Sequence, residues 1–296
     1  MQDIPLYTHT MKEVYSKSGE RLLRLKQVHS SMLSKPVQFA QYSILFVASG
    51  KGIFHADFGS FSFEGPILLF STPLQVIYME HNEVSYVNLL QFHGDFYCIE
   101  YHRAEVSCNG LLFNNIYISP YIRLSEADVQ VFNRLFIEFE EELTQETPSE
   151  TVLRAYLQLF LAKSSNIKSK LIKSEDKLGE KDMQMEHFME LLDKHYLTLR
   201  KPFDYAELLS MSPGYFSKRC TRYFNKTPSH LIQERLILEA KKQLHLTRQS
   251  IKEIAYSLKF QDEFYFSRVF KKVTKVSPQT FRDMTGISIV ADLSDK

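Results

Sequence analysis

Two hydrophobic rhythms divide the chain. From about Gln38 to Ile118, apolar residues fall in short runs: Tyr42 to Ala48, Ile53 to Phe58, Phe61 to Phe63, Ile67 to Phe70 and Val84 to Phe92. Turn residues separate them at Ser49-Gly50-Lys51-Gly52, Gly59-Ser60 and Gly65-Pro66. Short strands at this spacing predict an all-β sandwich or small barrel. After Ser125 the period lengthens. Ser125-Glu126-Ala127-Asp128 caps a helix over 125–143 carrying Val131, Phe132, Leu135, Phe136, Phe139 and Leu143. Thr147-Pro148-Ser149-Glu150 opens a second over 148–162 with Val152, Leu153, Tyr156, Leu157, Phe160 and Leu161, so a short antiparallel αα-hairpin is expected. Residues 163–183 are polar and mixed in charge, and read as a linker whose first part is open to continuing the helix. Residues 1 to about 34 have no clear pattern beyond short strands, and the tail 286–296 looks irregular.

From residue 184 onward the period is helical, and one unit occurs twice. Tyr215-Phe216-Ser217-Lys218 recurs fifty residues later as Tyr265-Phe266-Ser267-Arg268, and Thr227-Pro228 recurs as Ser277-Pro278. Each unit reads as a short helix, a turn, a second helix with a basic outer face and a third begun by Pro, the sequence form of a helix-turn-helix. Behind the cap Ser212 and Pro213, the residues Phe216, Cys220 and Tyr223 share one face, opposite Gly214, Ser217, Lys218 and Thr221. In the second unit, behind Asp262, Phe266, Val269, Phe270 and Val273 point inward, and Phe264, Ser267, Arg268 and Lys271 point outward. Compact, polar and cationic outer faces suit a helix entering a major groove about 12 Å wide.

Between the units, Thr227-Pro228 opens a helix through about Leu244 with Leu231, Leu236, Ala240 and Leu244 as its stripe. About seventeen residues span roughly 25 Å, enough for a rod that holds two readers in fixed relation. Ser250-Ile251-Lys252-Glu253 matches a capping box and starts the second unit.

Residues 184–285 resemble the DNA-binding domain of the AraC/XylS family of transcription regulators. The signature is Ile254-Ala255, then Tyr265-Phe266-Ser267-Arg268-Val269-Phe270-Lys271-Lys272, then Ser277-Pro278 and Phe281-Arg282. The resemblance implies double-stranded DNA as a partner, with base-reading positions at Gly214, Ser217 and Lys218 and at Glu263, Phe264, Ser267 and Arg268. Arg222 and Lys271, on the same outer faces, are the expected phosphate contacts. It also implies RNA polymerase as a partner, and a cupin-like sensor barrel in the strand-rich half. Three departures stand out. Lys259 occupies the turn position where the family usually has Gly, and so needs a left-handed conformation or a different turn. Cys220 replaces a larger apolar residue, and Asn225 takes the place of a Gly cap.

The fold expected is therefore multidomain α+β. A cupin-like β-barrel with an αα-hairpin spans 1–162, a linker 163–183, and an all-α domain with two helix-turn-helix units 184–285. Charge follows the same split: residues 184–285 hold 18 Lys plus Arg against 11 Asp plus Glu, whereas residues 1–183 hold 17 against 22. Charge alone is also what a solvated surface would give, and the repeat decides between the two. Cys98, Cys108 and Cys220 have no zinc or disulfide spacing. No apolar stretch is long enough for a bilayer and no signal peptide is visible, so a cytoplasmic, non-membrane protein is expected.

Cupins include metalloenzymes, which raises an alternative: a cupin-type metalloenzyme or carbohydrate-binding module with an appended DNA-binding domain. Val37-Gln38-Phe39, ahead of the first core strand, contains no His. His55 and Asp57 alternate on one strand face, and His81 and His93 read as loop or rim residues. The expectation is no metal, no cofactor and no catalysis. Phe39, Tyr42, Phe46, Phe54 and other aromatics would line a pocket for a small-molecule effector or simply form core, and no residue is assigned to an effector. The apolar surplus on the hairpin over 125–143 and 148–162 motivates a homodimer, against its absorption within one copy.

Overall fold

The computed structural model of the protein describes residues 12–16, 19–97, 111–113, 115–177 and 182–286. Strands β1 (Lys12–Tyr15), β2 (Arg21–His29), β3 (Val37–Gln38), β4 (Tyr42–Val47), β5 (Lys51–Ala56), β6 (Gly59–Glu64), β7 (Ile67–Ser71), β8 (Val76–Asn82), β9 (Tyr86–Phe92) and β10 (Tyr121–Arg123) build the first half. They pair antiparallel into a six-stranded sheet, β1-β2-β9-β4-β7-β10, and a four-stranded sheet, β3-β8-β5-β6. Alternation gives the larger sheet two working faces. Leu45, Val47, Ile67, Leu69, Val87 and Leu89 join Phe54, Phe61, Phe63 and Met79 of the smaller sheet in one core. Leu23, Leu25, Ile44, Phe46, Leu68, Phe70, Leu90 and Phe92 face the other way and join a second core with the helical hairpin.

Strand β2 is central to this sheet although it lies in the N-terminal stretch that showed no clear pattern. Its outer positions Leu23 and Leu25 alternate with Arg24 and Lys26, and the charged residues hid the period. Arg24 pairs in register with Glu13 and Gln91, and Gln91 with Ser43, which pairs with Ser71. A polar row therefore crosses the inner face at one end of the sheet. Gln91 Nε2 donates to Ser43 Oγ at 3.0 Å within it, which satisfies two buried groups at once.

Helices α1 (Glu126–Leu143) and α2 (Glu150–Lys177) form the expected hairpin. Ser125 and Asp128 complete a reciprocal capping box. The pair is antiparallel, with Phe132 and Phe136 meeting Phe160 and Phe139 meeting Tyr156. Helix α2 runs on to Lys177, so the first part of the stretch expected as a linker over 163–183 continues the helix. Ser164, Ser165 and Lys168 are buried there, while Asn166, Lys170 and Lys173 stay exposed. Ser164 Oγ donates to Phe160 O, and the Lys168 ammonium donates to Ser119 O at 2.7 Å and Tyr121 O at 2.9 Å. Both satisfy their polarity within the fold.

The second half is helical: α3 (Met183–His195), α4 (Pro202–Leu208), α5 (Pro213–Phe224), α6 (Pro228–Leu246), α7 (Ile251–Ser257), α8 (Glu263–Thr274) and α9 (Pro278–Thr285). Helices α3 to α5 close over Phe188, Tyr205, Phe216 and Phe224 together with Leu231 and Ile232 from the start of α6. The rest of α6, Leu236, Ile237, Ala240 and Leu244, packs with Ile254, Phe266, Phe270 and Phe281 of the second unit. One helix thus belongs to both cores.

The halves meet directly. Phe58 of the β5–β6 turn stacks on His230 with ring centres 4.3 Å apart. The Lys226 ammonium donates to Ile116 O at 3.0 Å, and Gln38 Nε2 donates to Thr274 O at 2.7 Å.

Candidate nucleic-acid interface

Helices α5 and α8 start alike. Ser212 Oγ accepts the Tyr215 N–H at 3.4 Å, and Asp262 Oδ1 accepts the Tyr265 N–H at 2.7 Å, each ending a tight turn on the first helix of its unit. The turns also match: Met211 N–H donates to Ala206 O and Phe260 N–H to Ala255 O, both at 2.9 Å. Lys259 takes the left-handed φ, +60°, that the sequence required of it. Its counterpart Ser210, at +54°, was not foreseen. At the far ends Asn225 and Lys275 are both left-handed C-caps. Asn225 was the expected one, whereas Lys275 gives no composition signal and is found only through the repeat.

The structure brings the predicted residues to one side of each helix. On α5, Gly214, Lys218 and Arg222 are exposed and Ser217 is half-buried, while Phe216, Cys220 and Phe224 face inward. On α8, Phe264, Arg268 and Lys271 are exposed and Glu263 and Ser267 half-buried, over an inner face of Phe266, Phe270 and Val273. Phe264 is 71% exposed, a large apolar ring held in solvent at the first turn of a helix. That cost in a free molecule suits contact with an apolar base edge such as a thymine methyl group. A Cβ at Gly214 would meet nothing within 4 Å, so no packing demand requires glycine there.

Both faces carry unpaired positive charge. Lys218, Arg222 and Lys271 make no ion pair among the described residues, and Arg268 lies only against its neighbour Tyr265. Arg219, one residue from Lys218, is committed elsewhere. It makes a two-pronged bond to Asp182 at 2.5 and 2.8 Å and so pins α3 to α5. That contact and backbone donors hold the Asp182 carboxyl below its ordinary value, against its partial burial. Tyr215 and Tyr265 are about half-exposed at equivalent positions on the same faces. Sequence reasoning passed over both, although the repeated tetrapeptide begins with them.

The readers are braced to each other. Arg200, between α3 and α4, donates to Leu258 O at 2.6 Å and lies 4.9 Å over the Phe260 ring, so it reaches the turn of the second unit. Arg235 of α6 bonds Asp193 at 2.6 Å and covers Tyr196 at 4.0 Å. Cys220 is fully buried, and desolvation pushes its thiol up to about 12, which makes it a packing residue rather than a reactive one.

The metal candidates are scattered. His55 stacks on Tyr78 at 4.1 Å and bonds Ser60, and Asp57 accepts the Val76 N–H at the β5–β6 turn. His93 needs correction: it is 3% exposed rather than a rim residue, because it continues the β9 ladder inward with its N–H on Leu22 O. Cys98 and Cys108 lie outside the described residues.

Residues 205–284 match a family described as a helix-turn-helix domain. The raffinose operon transcriptional regulatory protein RafR of Pediococcus pentosaceus is 28% identical over 96 residues, 32% of this chain and 35% of that protein. The regulatory protein PocR of Salmonella typhimurium is 26% identical over 133 residues, 45% of this chain and 44% of that protein. The chain thus spans less than half the length of these curated relatives. Among solved structures, the C-terminal domain of AraT, a response regulator from Geobacillus stearothermophilus, is 28% identical with TM-score 0.34, over 36% of this chain and 89% of that one. ToxT from Vibrio cholerae is 16% identical with TM-score 0.39, over 89% of this chain and 97% of that one. The two equivalent units and a family match that spans both reading helices make residues 205–284 a double helix-turn-helix domain of the AraC type.

Proposed function

We propose that the protein is a sequence-specific transcription regulator that reads two successive major-groove segments, one with α5 and one with α8. The observation that carries this reading is the pair of equivalent, outward helix faces whose cations Lys218, Arg222, Arg268 and Lys271 make no ion pair among the described residues. In it, Gly214, Ser217, Lys218, Glu263, Phe264, Ser267 and Arg268 face base edges, and Arg222 and Lys271 hold phosphates. Helix α6, about 28 Å long at its 19 residues, sets the distance between the readers. Residues ahead of α3 form the cupin-like sensing unit, and RNA polymerase is the partner through which occupancy of a site acts.

The regulator responds to a small molecule held between its halves. A cavity of about 70 Å³ is lined by Thr72, Phe113 and Asn115 from the first half and by Lys226, Ile237 and Lys241 from the second. A ligand there touches α6 and the turn after α5, and so bears on the geometry of both readers. Self-association through the α1–α2 hairpin is a further part of the proposal, but its apolar basis is narrow. Phe132, Phe136, Phe139, Leu157 and Phe160 are absorbed within one copy, which leaves Val131, Ile137 and Leu159 exposed. Sedimentation at micromolar concentration, with and without DNA, decides it: a monomer in both removes the dimer.

Footprinting of the full-length protein on fragmented DNA from its own source, at low and at physiological salt, tests the central reading. Discrete protected sites at physiological salt are expected. Diffuse protection that disappears with salt would leave only phosphate attraction and overturn sequence-specific regulation.

A further inference from the structure

We propose that Glu20, His93 and Asp95 form a binding site for one divalent transition-metal cation at the end of the six-stranded sheet, on residues that DNA reading does not use. His93 follows β9, and its backbone N–H donates to Leu22 O at 2.8 Å, so it is placed as rigidly as a strand residue. Its side chain is only 4% exposed, and Nε2 faces Glu20 Oε1 at 3.5 Å. That nitrogen is buried and makes no hydrogen bond. A buried imidazole nitrogen without a partner is costly unless something occupies the space it faces. On the other side of the ring, Nδ1 accepts the Asp95 N–H at 3.2 Å and lies 3.7 Å from Asp95 Oδ2.

Donor atoms of the three residues fall within 4.8 Å of one another. Two ligand atoms bound to one ion at about 2.0–2.2 Å stand roughly 3 to 3.5 Å apart at octahedral or tetrahedral angles. The separation of Nε2 from Glu20 Oε1 already lies at that limit. Glu20 is exposed and precedes β2, so its side chain has room to adjust. One imidazole nitrogen with two carboxylate oxygens, and no thiolate, suits zinc, manganese or nickel rather than a soft ion.

The site has a defined place in the molecule. It joins the segment entering β2 to the end of β9, and the charges of His93 and Asp95 reach His245 at the end of α6. An ion there adds positive charge close to the contact between the two halves.

Full-length protein stripped with a chelator would be titrated by calorimetry with Zn²⁺, Mn²⁺ and Ni²⁺ separately, followed by elemental analysis after desalting. One equivalent of at least one ion is expected, with a rise in thermal midpoint, and an affinity at least about tenfold weaker in His93→Gln and in Glu20→Gln. Glu20→Gln alters an exposed residue and keeps the test valid if the His93 variant folds poorly. Absence of stoichiometric binding with all three ions would overturn the proposal. So would affinity retained in Glu20→Gln and in a folded His93→Gln.

Discussion

At the scale of single residues, the base and phosphate roles proposed for the two helix faces are separable by mutation. Arg268→Ala is expected to weaken the specific site by about 1 to 3 kcal/mol and to relax discrimination at one base pair. Lys271→Ala should instead weaken all sequences alike and lower the salt slope by about one. Titration against a specific site, its single-base variants and random DNA at several salt concentrations separates the two. Loss of only sequence-independent affinity in both would refute the assignment.

Glu234 makes a different prediction. It is 8% exposed and bonds Lys226 at 2.6 Å, and burial pushes its carboxyl up to about 7 against the pull of that ammonium. The folded protein therefore keeps a proton that the unfolded chain releases near 4.5, so it binds more protons between about 4.5 and 7. Stability contributed by this group falls as pH rises through that window. The full effect is about 3 kcal/mol, from 1.36 kcal/mol per unit. Urea unfolding of wild type and Glu234→Gln at pH 5 and pH 8 measures it as the difference between the two slopes, and parallel slopes would contradict it. This residue was invisible in the sequence, where a Glu among polar neighbours on a helix reads as solvated. It lies beside Lys226, Ile116 and Asp57 where the two halves meet.

At the scale of elements, what repeats was legible and what is singular was not. The caps Ser125, Ser212, Thr227, Ser250, Asp262 and Ser277 all accept the expected backbone N–H, because a cap is set by residues three positions apart. Strand β2 escaped because Arg24 and Lys26 occupy its inward positions, and only pairing with β1 and β9 explains charge there. Strand β8 escaped as well: Glu80, His81 and Asn82 end it with polar residues on an otherwise apolar run. The second half of α2 looked like a linker because Lys168 and Ser164 satisfy themselves on carbonyls that are remote in sequence or one turn back.

The turns before the readers carry strain that a substitution can relieve. Lys259 holds φ at +60°, where a Cβ crowds the backbone. Lys259→Gly is expected to raise stability by about 0.5 to 1 kcal/mol, the relief outweighing the extra freedom of the unfolded chain. A thermal midpoint that falls in Lys259→Gly would mean that the side chain makes a stabilising contact. Gly214→Ala has the same sign for the opposite reason. Glycine there lies in the first turn of α5 with open space around it, and alanine adds helix propensity worth up to about 1 kcal/mol.

At the scale of the whole molecule, the first half grips the same place in both repeats. After α5, Phe224 lies 6.0 Å from Tyr117, Lys226 bonds Ile116 O, and His230 stacks on Phe58. At the end of α8, the repeat-equivalent position, Thr274 O accepts from Gln38, and Leu74 joins the second core. Each left-handed cap, Asn225 and Lys275, therefore stands beside a contact from the sheets. A repeat gripped twice at equivalent points has its two readers set by one rigid body, in addition to α6. Removing the Phe58 ring tests this, since it is half-buried, stacks on His230 at the first grip and also packs against the core that Leu74 joins at the second. Phe58→Ala is expected to cost about 2 kcal/mol locally, an area term of burying part of an aromatic ring. Amide exchange near residues 224–231 should accelerate on the order of tenfold to thirtyfold, while Phe216 and Tyr205 in the core of the unit stay protected. Exchange around 271–277 should follow only if the grips act together. Acceleration there as well would make the sheets a coupling element between the readers. Acceleration confined to the first turn would leave α6 and Arg200 as the parts that hold them in register.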